Sequence, residues 1–404
     1  MPASPLPCID AFRIARLPDI QFGAGGITRL PGLIAEHGKQ VLLVTGKRSF
    51  VTSHHWDKLV ADLEAQGVAW HHVTIEGEPS PQRVDAIVTD YHDAGIDVVA
   101  AIGGGSVLDA AKAVAGLLHT GNSVMDHLEG VGRGLPYRGP SVPLIAVPTT
   151  AGTGSEATKN AVLSVQGPEG FKKSFRDERL VATVALVDPE LLSGCPKTQI
   201  AANGMDAFTQ LLESYVSLNA SPATDALAWS GMQAFCRGFW AAWEEGHPEA
   251  SRGYDQVAYA SLMSGVTLAQ AGLGSVHGLA SPLSAFFPIP HGTVCGTLLA
   301  EATAVNIVAL RQRDEDGPAL AKYADAGRLV SESPTLDDTE ACDALITTLR
   351  DWIHRLAMPK LSAYGMRHED IERVVANARG GSMKTNPLLL TDAELGTLLE
   401  TRLL

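Results

Sequence analysis

Cysteine is scarce in this chain: five in 404 residues (Cys8, Cys195, Cys236, Cys295 and Cys342), with no Cys-x-x-Cys pair. That excludes a disulfide framework and a structural zinc module, and it points to a reducing, cytoplasmic setting. Positive charge is also short. The 31 Lys and Arg face 45 Asp and Glu, and the formal net charge of −14 opposes attraction to nucleic acid or to an acidic membrane surface. The start lacks a basic head followed by an apolar stretch, and no later run approaches the roughly 18 apolar residues of a spanning helix, so neither export nor membrane insertion is expected. Missing too are the GxGxxG fingerprint and the upstream glycine that Gly46-Lys47-Arg48-Ser49 would need to form a Walker loop, which rejects a P-loop ATPase.

What is present is a globular composition, 45% hydrophobic and 19% charged, in a length worth about two to three domains. The first half alternates short β-branched runs with amphipathic stretches, the pattern of helices crossing between parallel strands. Strands are expected at 41–45, 73–75, 98–102, 144–147 and 184–187, and helices at 56–66, 81–93 and 106–119, the last with Ser106 as its N-cap. Past Pro196 the β-branched runs thin out and helical periodicities take over at 199–217, 223–245, 254–271 and 338–356. The reading is therefore an α/β unit with a parallel sheet at 1–195 and an all-helical unit at 196–404, packed together with a cleft between them.

Three elements carry chemistry. Gly103-Gly104-Gly105-Ser106 follows an apolar strand and opens a helix, where free N–H groups and the positive dipole end favour a phosphate; as an isolated motif it is equally a plain tight turn. Asp109, one turn further on, is either an acid favoured by the helix dipole or a hydrogen-bonding site residue. The second element, Thr149-Thr150-Ala151-Gly152-Thr153-Gly154-Ser155, sets four hydroxyls beside two glycines after another strand. Two such loops at the C-terminal ends of strands in one sheet are where α/β proteins bind ligands. In the third, Asp206 and Gln210 share a helix face at i and i+4, and His277 and His291 follow, a set able to surround zinc or iron. Cys295 reads as a buried inert thiol, His54-His55 and His71-His72 as exposed pairs, and the tryptophans as mainly core.

Together these segments resemble the iron-containing (group III) alcohol dehydrogenase family: GGGSVLDAAKA at 103–113, PTTAGTGSEAT at 148–158, VALVDPELL at 184–192, GMDAFTQLLESYVS at 204–217, HGLASPL at 277–283 and PHG at 290–292, after Phe22-Gly23-Ala24-Gly25. The resemblance implies a Rossmann-like nucleotide-binding domain joined to a helical metal domain, as in the dehydroquinate synthase-like fold. It implies reversible hydride transfer between an alcohol and NAD or NADP, assisted by iron or zinc, with an aldehyde or ketone as the other partner, in a homodimer or higher homo-oligomer. It assigns Gly104, Gly105 and Ser106 to the cofactor's pyrophosphate. Thr149, Thr150 and Thr153 take the adenine, ribose and nicotinamide part, and Lys172 a further cofactor contact, with Gly46 and Asp109 beside them. The family holds its metal with one Asp and three His. Asp206, His277 and His291 match three of these positions and are also the catalytic set.

Three departures stand out. Gln210 occupies the remaining histidine position, so metal affinity is expected to drop; Ser281 replaces a histidine near the substrate; and Lys47 and Arg48 stand where many NAD-using relatives carry a carboxylate, so NADP is expected to be tolerated. The working expectation keeps Gln210 as a weak fourth contact. The alternatives are a metal-independent reductase of the maleylacetate reductase type, a lyase of the dehydroquinate synthase type, and a nucleotide-binding protein without turnover.

Overall fold

The computed structural model describes residues 9–404. Eight strands occur among the described residues, β1 (Asp19–Phe22), β2 (Gln40–Gly46), β3 (Ala69–Ile75), β4 (Val98–Gly103), β5 (Leu144–Pro148), β6 (Asn160–Val165), β7 (Phe171–Arg176) and β8 (Val184–Val187). Six form one sheet in the order β1-β8-β5-β4-β2-β3, parallel at every pairing, while β6 and β7 make a separate antiparallel hairpin. Helices α1 (Leu30–His37), α2 (His54–Ala65), α3 (Pro81–Tyr91) and α4 (Gly105–Leu117) supply the crossovers. Strands β4 and β5 are buried along their whole length because both faces of the sheet are covered. Leu42, Val44, Val99 and Ala101 pack with α3 and α4 on one face; the alternate residues Val41, Leu43, Val98 and Ala100 pack with α1 and α2 on the other.

All five expected strands are present in the sheet. The edge strand β1 and the β6–β7 hairpin were not foreseen. The four residues of β1 have no fully buried member, and β7 reads Phe-Lys-Lys-Ser-Phe-Arg, so neither carries the apolar run of a central strand. The main correction concerns α4, which is capped by Gly104 and not by Ser106. The Gly104 carbonyl already accepts from the Val107 and Leu108 amides at 2.9 and 3.1 Å, and no side chain caps the first turn.

The remaining chain forms α5 (Lys197–Tyr215), α6 (Pro222–Trp243), α7 (Ala250–Ala271), α8 (Ser275–Phe286), α9 (His291–Arg313), α10 (Pro318–Val330), α11 (Asp338–Arg355), α12 (Ile371–Asn377) and α13 (Asp392–Thr401). This bears out the expected fold class, a parallel sheet followed by a helical half. Helix α9 is long and apolar enough to cross a membrane, which corrects the expectation that no run approaches the length of a spanning helix. It is nevertheless mostly buried, as the core helix against which α5, α8 and α11 pack. Of the tryptophans only Trp352 is buried; most of the others pack partly buried around the same aromatic cluster.

One close backbone approach helps to hold the sheet unit on the helical unit, and a side-chain contact within the sheet unit holds the chain where it leaves for the helices. Gly154 has φ 58° and lies against Gly265 of α7 so closely that a Cβ on Gly265 would stand 2.1 Å from the Gly154 carbonyl oxygen. Cys195 Sγ, at the junction, lies 3.2 Å from the Thr149 carbonyl.

Candidate active site

Between the C-terminal ends of the sheet strands and the helices lies a cleft of about 1880 Å³. That exceeds the roughly 300–1,000 Å³ usual for one small ligand, leaving room for a dinucleotide and a second small molecule. At one end the two glycine loops meet. A Cβ on Gly105 would come within 2.7 Å of the Thr153 side chain, so the close approach of the loops requires glycine there. The uncapped first turn of α4 faces the cleft through Gly104, Gly105 and Ser106, and its unspent N–H groups suit an anion.

Thr149, Thr150 and Thr153 line the same wall, with Asp109 behind them. Asp109 is a brace between the loops: Ser155 Oγ donates to it at 2.5 Å and Lys112 Nζ at 3.1 Å. Lys112 is fully buried and also donates to Thr158 Oγ1 and the Asn160 carbonyl, at 3.0 and 2.6 Å. Next to this network Glu156 is fully buried, and burial pushes its carboxyl up to about 7.

Gly46 ends β2 and stands outside the cleft wall. Beside it Lys47 is paired to Glu76 at 2.8 Å, with both side chains more than half exposed, so the cation expected to welcome a 2′-phosphate already carries a carboxylate partner. The His54-His55 pair, read from the sequence as exposed, has ring centroids 3.9 Å apart at a 38° tilt and borders the cleft at the start of α2. His72 is tied to Thr45 Oγ1 at 2.8 Å.

Lys172, on β7, is no solvated surface lysine. Its side chain is 9% exposed and its Nζ lies 3.1 Å from Glu78 Oε2. Ser281 Oγ donates to the Lys172 carbonyl at 3.1 Å and so ties the hairpin to α8.

At the opposite end α5, α8 and α9 bring Asp206, His277, His291 and Cys295 together, with one ligand-type atom from each lying within 4.8 Å of every other. Asp206 Oδ1 stands 3.3 Å from His277 Nε2 and 3.9 Å from His291 Nε2. It is buried and accepts no hydrogen bond; His291 Nδ1 is likewise buried and unpartnered. An orphaned carboxylate oxygen is costly to bury unless something satisfies it, and a divalent cation among these four donors would satisfy Asp206 Oδ1; His291 Nδ1 lies on the other side of its ring from the Nε2 that faces the cluster. Glu213, one turn beyond Gln210 on α5, accepts from His277 Nδ1 at 2.6 Å and from the Val276 amide at 2.7 Å. The proton is thereby fixed on Nδ1 and the Nε2 lone pair is turned toward Asp206, the carboxylate–histidine pairing typical behind metal ligands. Gln210 lines the cleft, but its Oε1 already accepts from Ser264 Oγ at 2.8 Å.

Electrostatics follow the geometry. Burial opposes ionisation of Asp206, yet the imidazoles of His291 and His277 hold its carboxyl well below the usual carboxylate range. Burial, reinforced by Lys172, pushes His291 down to about 4. Burial also works against a charged His277, but Cys295, Asp206 and Glu213 outweigh it and raise that imidazole well above its ordinary value, so a cation at Nε2 would bind in competition with a second proton on the ring. The Cys295 thiol is pushed up to about 12, chiefly by burial.

Sequence reasoning missed Glu213, Glu78 and the place of Cys295. Glu213 continues the 206, 210 helical face at i+7, and Cys295 follows His291 at i+4, so both had a local signal. Glu78 had none, because it meets Lys172 only through the fold.

Comparison with known proteins places these features in context. Residues 18–189 match the family described as Iron-containing alcohol dehydrogenase, and residues 200–403 match Fe-containing alcohol dehydrogenase family, C-terminal. The chain is 31% identical over 394 residues to Long-chain-alcohol dehydrogenase 1 of Geobacillus thermodenitrificans, covering 96% of each protein. It is 30% identical over 329 residues to NAD-dependent methanol dehydrogenase of Bacillus methanolicus, covering 81% of this chain and 82% of that one. Sulfoacetaldehyde reductase from Bifidobacterium kashiwanohense, solved in complex with NAD+, superposes with a TM-score of 0.83 at 27% identity, over 97% of this chain and 99% of the other.

Proposed function

The chain belongs to the iron-containing alcohol dehydrogenase family and interconverts an alcohol with an aldehyde or ketone using a nicotinamide cofactor, and from that premise we propose how its residues divide the work. The uncapped turn at Gly104, Gly105 and Ser106 receives the cofactor's pyrophosphate, while Thr149, Thr150 and Thr153 hydrogen-bond its sugar and nicotinamide portions. Asp206, His277 and His291 hold a divalent cation at the far end. When bound, the cation supplies Lewis acidity toward the substrate oxygen and the dinucleotide supplies the hydride carrier.

The chain's own contribution is placement. Glu213 keeps the proton on His277 Nδ1, so that Nε2 stays free to ligate. Asp109 and Ser155 clamp the two loops in register, and Gly105 lets them close on the cofactor. The cleft walls exclude water from the reacting atoms, which must sit about 3–3.5 Å apart. The Lys172–Glu78 pair borders the substrate side next to the His291 end of the cleft, where Ser281 offers no imidazole.

The observation carrying this reading is the orphaned carboxylate oxygen of Asp206 at one end of a cleft whose other end is the uncapped turn of α4. Replacing Asp206 with Asn tests it. Turnover of NADH or NADPH with an aldehyde panel is lost while cofactor binding, followed by fluorescence, is kept; turnover at the wild-type rate overturns it.

The same proposal divides the chain at 195/196 and places it in the cytoplasm as a homodimer or higher homo-oligomer. Supporting assembly, Phe12 and Ile14 expose apolar side chains just before the edge strand β1, a segment suited to pairing with a second copy.

A further inference from the structure

We propose that Cys295 is the fourth donor of the cation site and makes it a thiolate centre that prefers zinc to ferrous iron. The inference rests on the reading that Asp206, His277 and His291 hold a cation, and it adds the identity of both the remaining ligand and the metal.

Helix α9 begins at His291, so His291 and Cys295 fall at i and i+4 on one face and present their side chains to the same point. Cys295 Sγ lies 3.6 Å from His277 Nε2 and 3.8 Å from His291 Nε2. With the 3.3 and 3.9 Å separations from Asp206 Oδ1, these give four of the six edges of a tetrahedron of donors, and the other two are under 4.8 Å. A tetrahedral zinc site with N, O and S ligands at about 2.0–2.3 Å has edges of about 3.3–3.6 Å, so the four edges of 3.3–3.9 Å need close by at most about 0.6 Å.

A second observation points independently to the same spot: Asp206, 1% exposed, aims a carboxylate oxygen there with no hydrogen bond to occupy it. Gln210, the alternative fourth contact, has its carbonyl oxygen 2.8 Å from the Ser264 hydroxyl and is not among the converging donors.

The arrangement also leaves the correct side open. Asp206, His277 and His291 line the cleft, whereas Cys295 is fully buried behind them, so a cation would rest on the sulfur and face the substrate, whose oxygen would enter as a fifth contact from the cleft side. On binding, the Cys295 S–H bond breaks heterolytically, its proton leaves to solvent and sulfur donates its pair to the cation, with no change of oxidation state. A thiolate is a soft ligand, and replacing an imidazole by one moves the preference from ferrous iron toward zinc.

The test loads the metal-free full-length chain with one equivalent of cobalt(II), a spectroscopic substitute for zinc. Wild type should bind it and show intense near-ultraviolet sulfur-to-cobalt absorption. Cys295→Ser should bind cobalt without that absorption, and Cys236→Ser, altered far from the site, should retain it. In competition wild type should retain zinc over ferrous iron, and Cys295→Ser should narrow that preference by roughly tenfold or more. Cobalt bound by wild type, lost in Asp206→Asn, but without sulfur absorption overturns the thiolate ligand and leaves the cation site standing. Absorption that persists in Cys295→Ser also overturns it, because the sulfur then lies elsewhere. Failure of wild type to hold cobalt overturns the cation site together with its ligand. The wild-type spectrum decides the matter even if the serine variant folds poorly, which a thermal melt reveals.

Discussion

Replacing Glu213 with glutamine changes one oxygen to an amide nitrogen and keeps the shape. One Glu213 oxygen accepts from the Val276 amide at 2.7 Å and the other from His277 Nδ1 at 2.6 Å. A glutamine can satisfy the Val276 amide only by turning its NH₂ toward His277, and the imidazole must then carry its proton on Nε2, the atom that faces Asp206 and Cys295. Ligation now requires either a tautomer switch that sets two donors against each other or a flipped amide that does the same at Val276. Loss of such a partner behind a ligating histidine costs about 10- to 100-fold in metal affinity, or about 1.4–2.7 kcal/mol. Chelator competition with zinc on wild type and Glu213→Gln measures the ratio, and far-ultraviolet circular dichroism confirms that both are folded. Affinities within twofold of each other would refute the claim that Glu213 orients His277.

Other consequences are accessible to simple assays. Gly105→Ala should raise the KM for the cofactor about tenfold or more, since its Cβ would meet the Thr153 side chain at 2.7 Å, while metal content stays unchanged; an unaltered KM contradicts the close-approach argument. Glu76→Gln should improve NADPH relative to NADH by roughly fivefold, because it removes one exposed carboxylate near a 2′-phosphate; an unmoved ratio places that phosphate elsewhere. Glu156 should make stability fall with rising pH. Its carboxyl stands at about 7 in the fold against 4.5 in the unfolded chain, so its contribution is fully present below 4.5 and lost as pH rises through about 7. The difference corresponds to on the order of 3 kcal/mol. Melting temperatures of Glu156→Gln should therefore vary less than wild type between pH 5 and 8, and parallel curves would contradict the assignment.

Much of this architecture is legible in the sequence because the central strands are buried on both faces and announce themselves as apolar runs, and because glycine loops sit where strands hand over to helices. The positions of Asp206, His277 and His291 were readable through motif order. Less legible was whatever depends on partners distant in sequence. Edge strand β1 has no buried residue to betray it. Lys172 acquires its carboxylate from Glu78 across the cleft. Lys47 and Arg48 suggested a phosphate site, yet Glu76, at the end of the neighbouring strand β3, already pairs with Lys47. Ser106 was the obvious cap by residue type, but the cap lies two residues earlier, at Gly104, and leaves those amides unspent. Cys295 illustrates a different limit: burial made it read as inert, and only the convergence of α5, α8 and α9 places its sulfur among three other donors.

The most direct test of the account is metal content of untagged protein purified without chelator, paired with NADH and NADPH turnover on an aldehyde panel before and after chelation. The account predicts one divalent cation per chain, with metal and turnover lost together and restored together on adding the cation back. Full turnover by metal-free protein would contradict it and make the Gln210 substitution the mark of a metal-independent reductase.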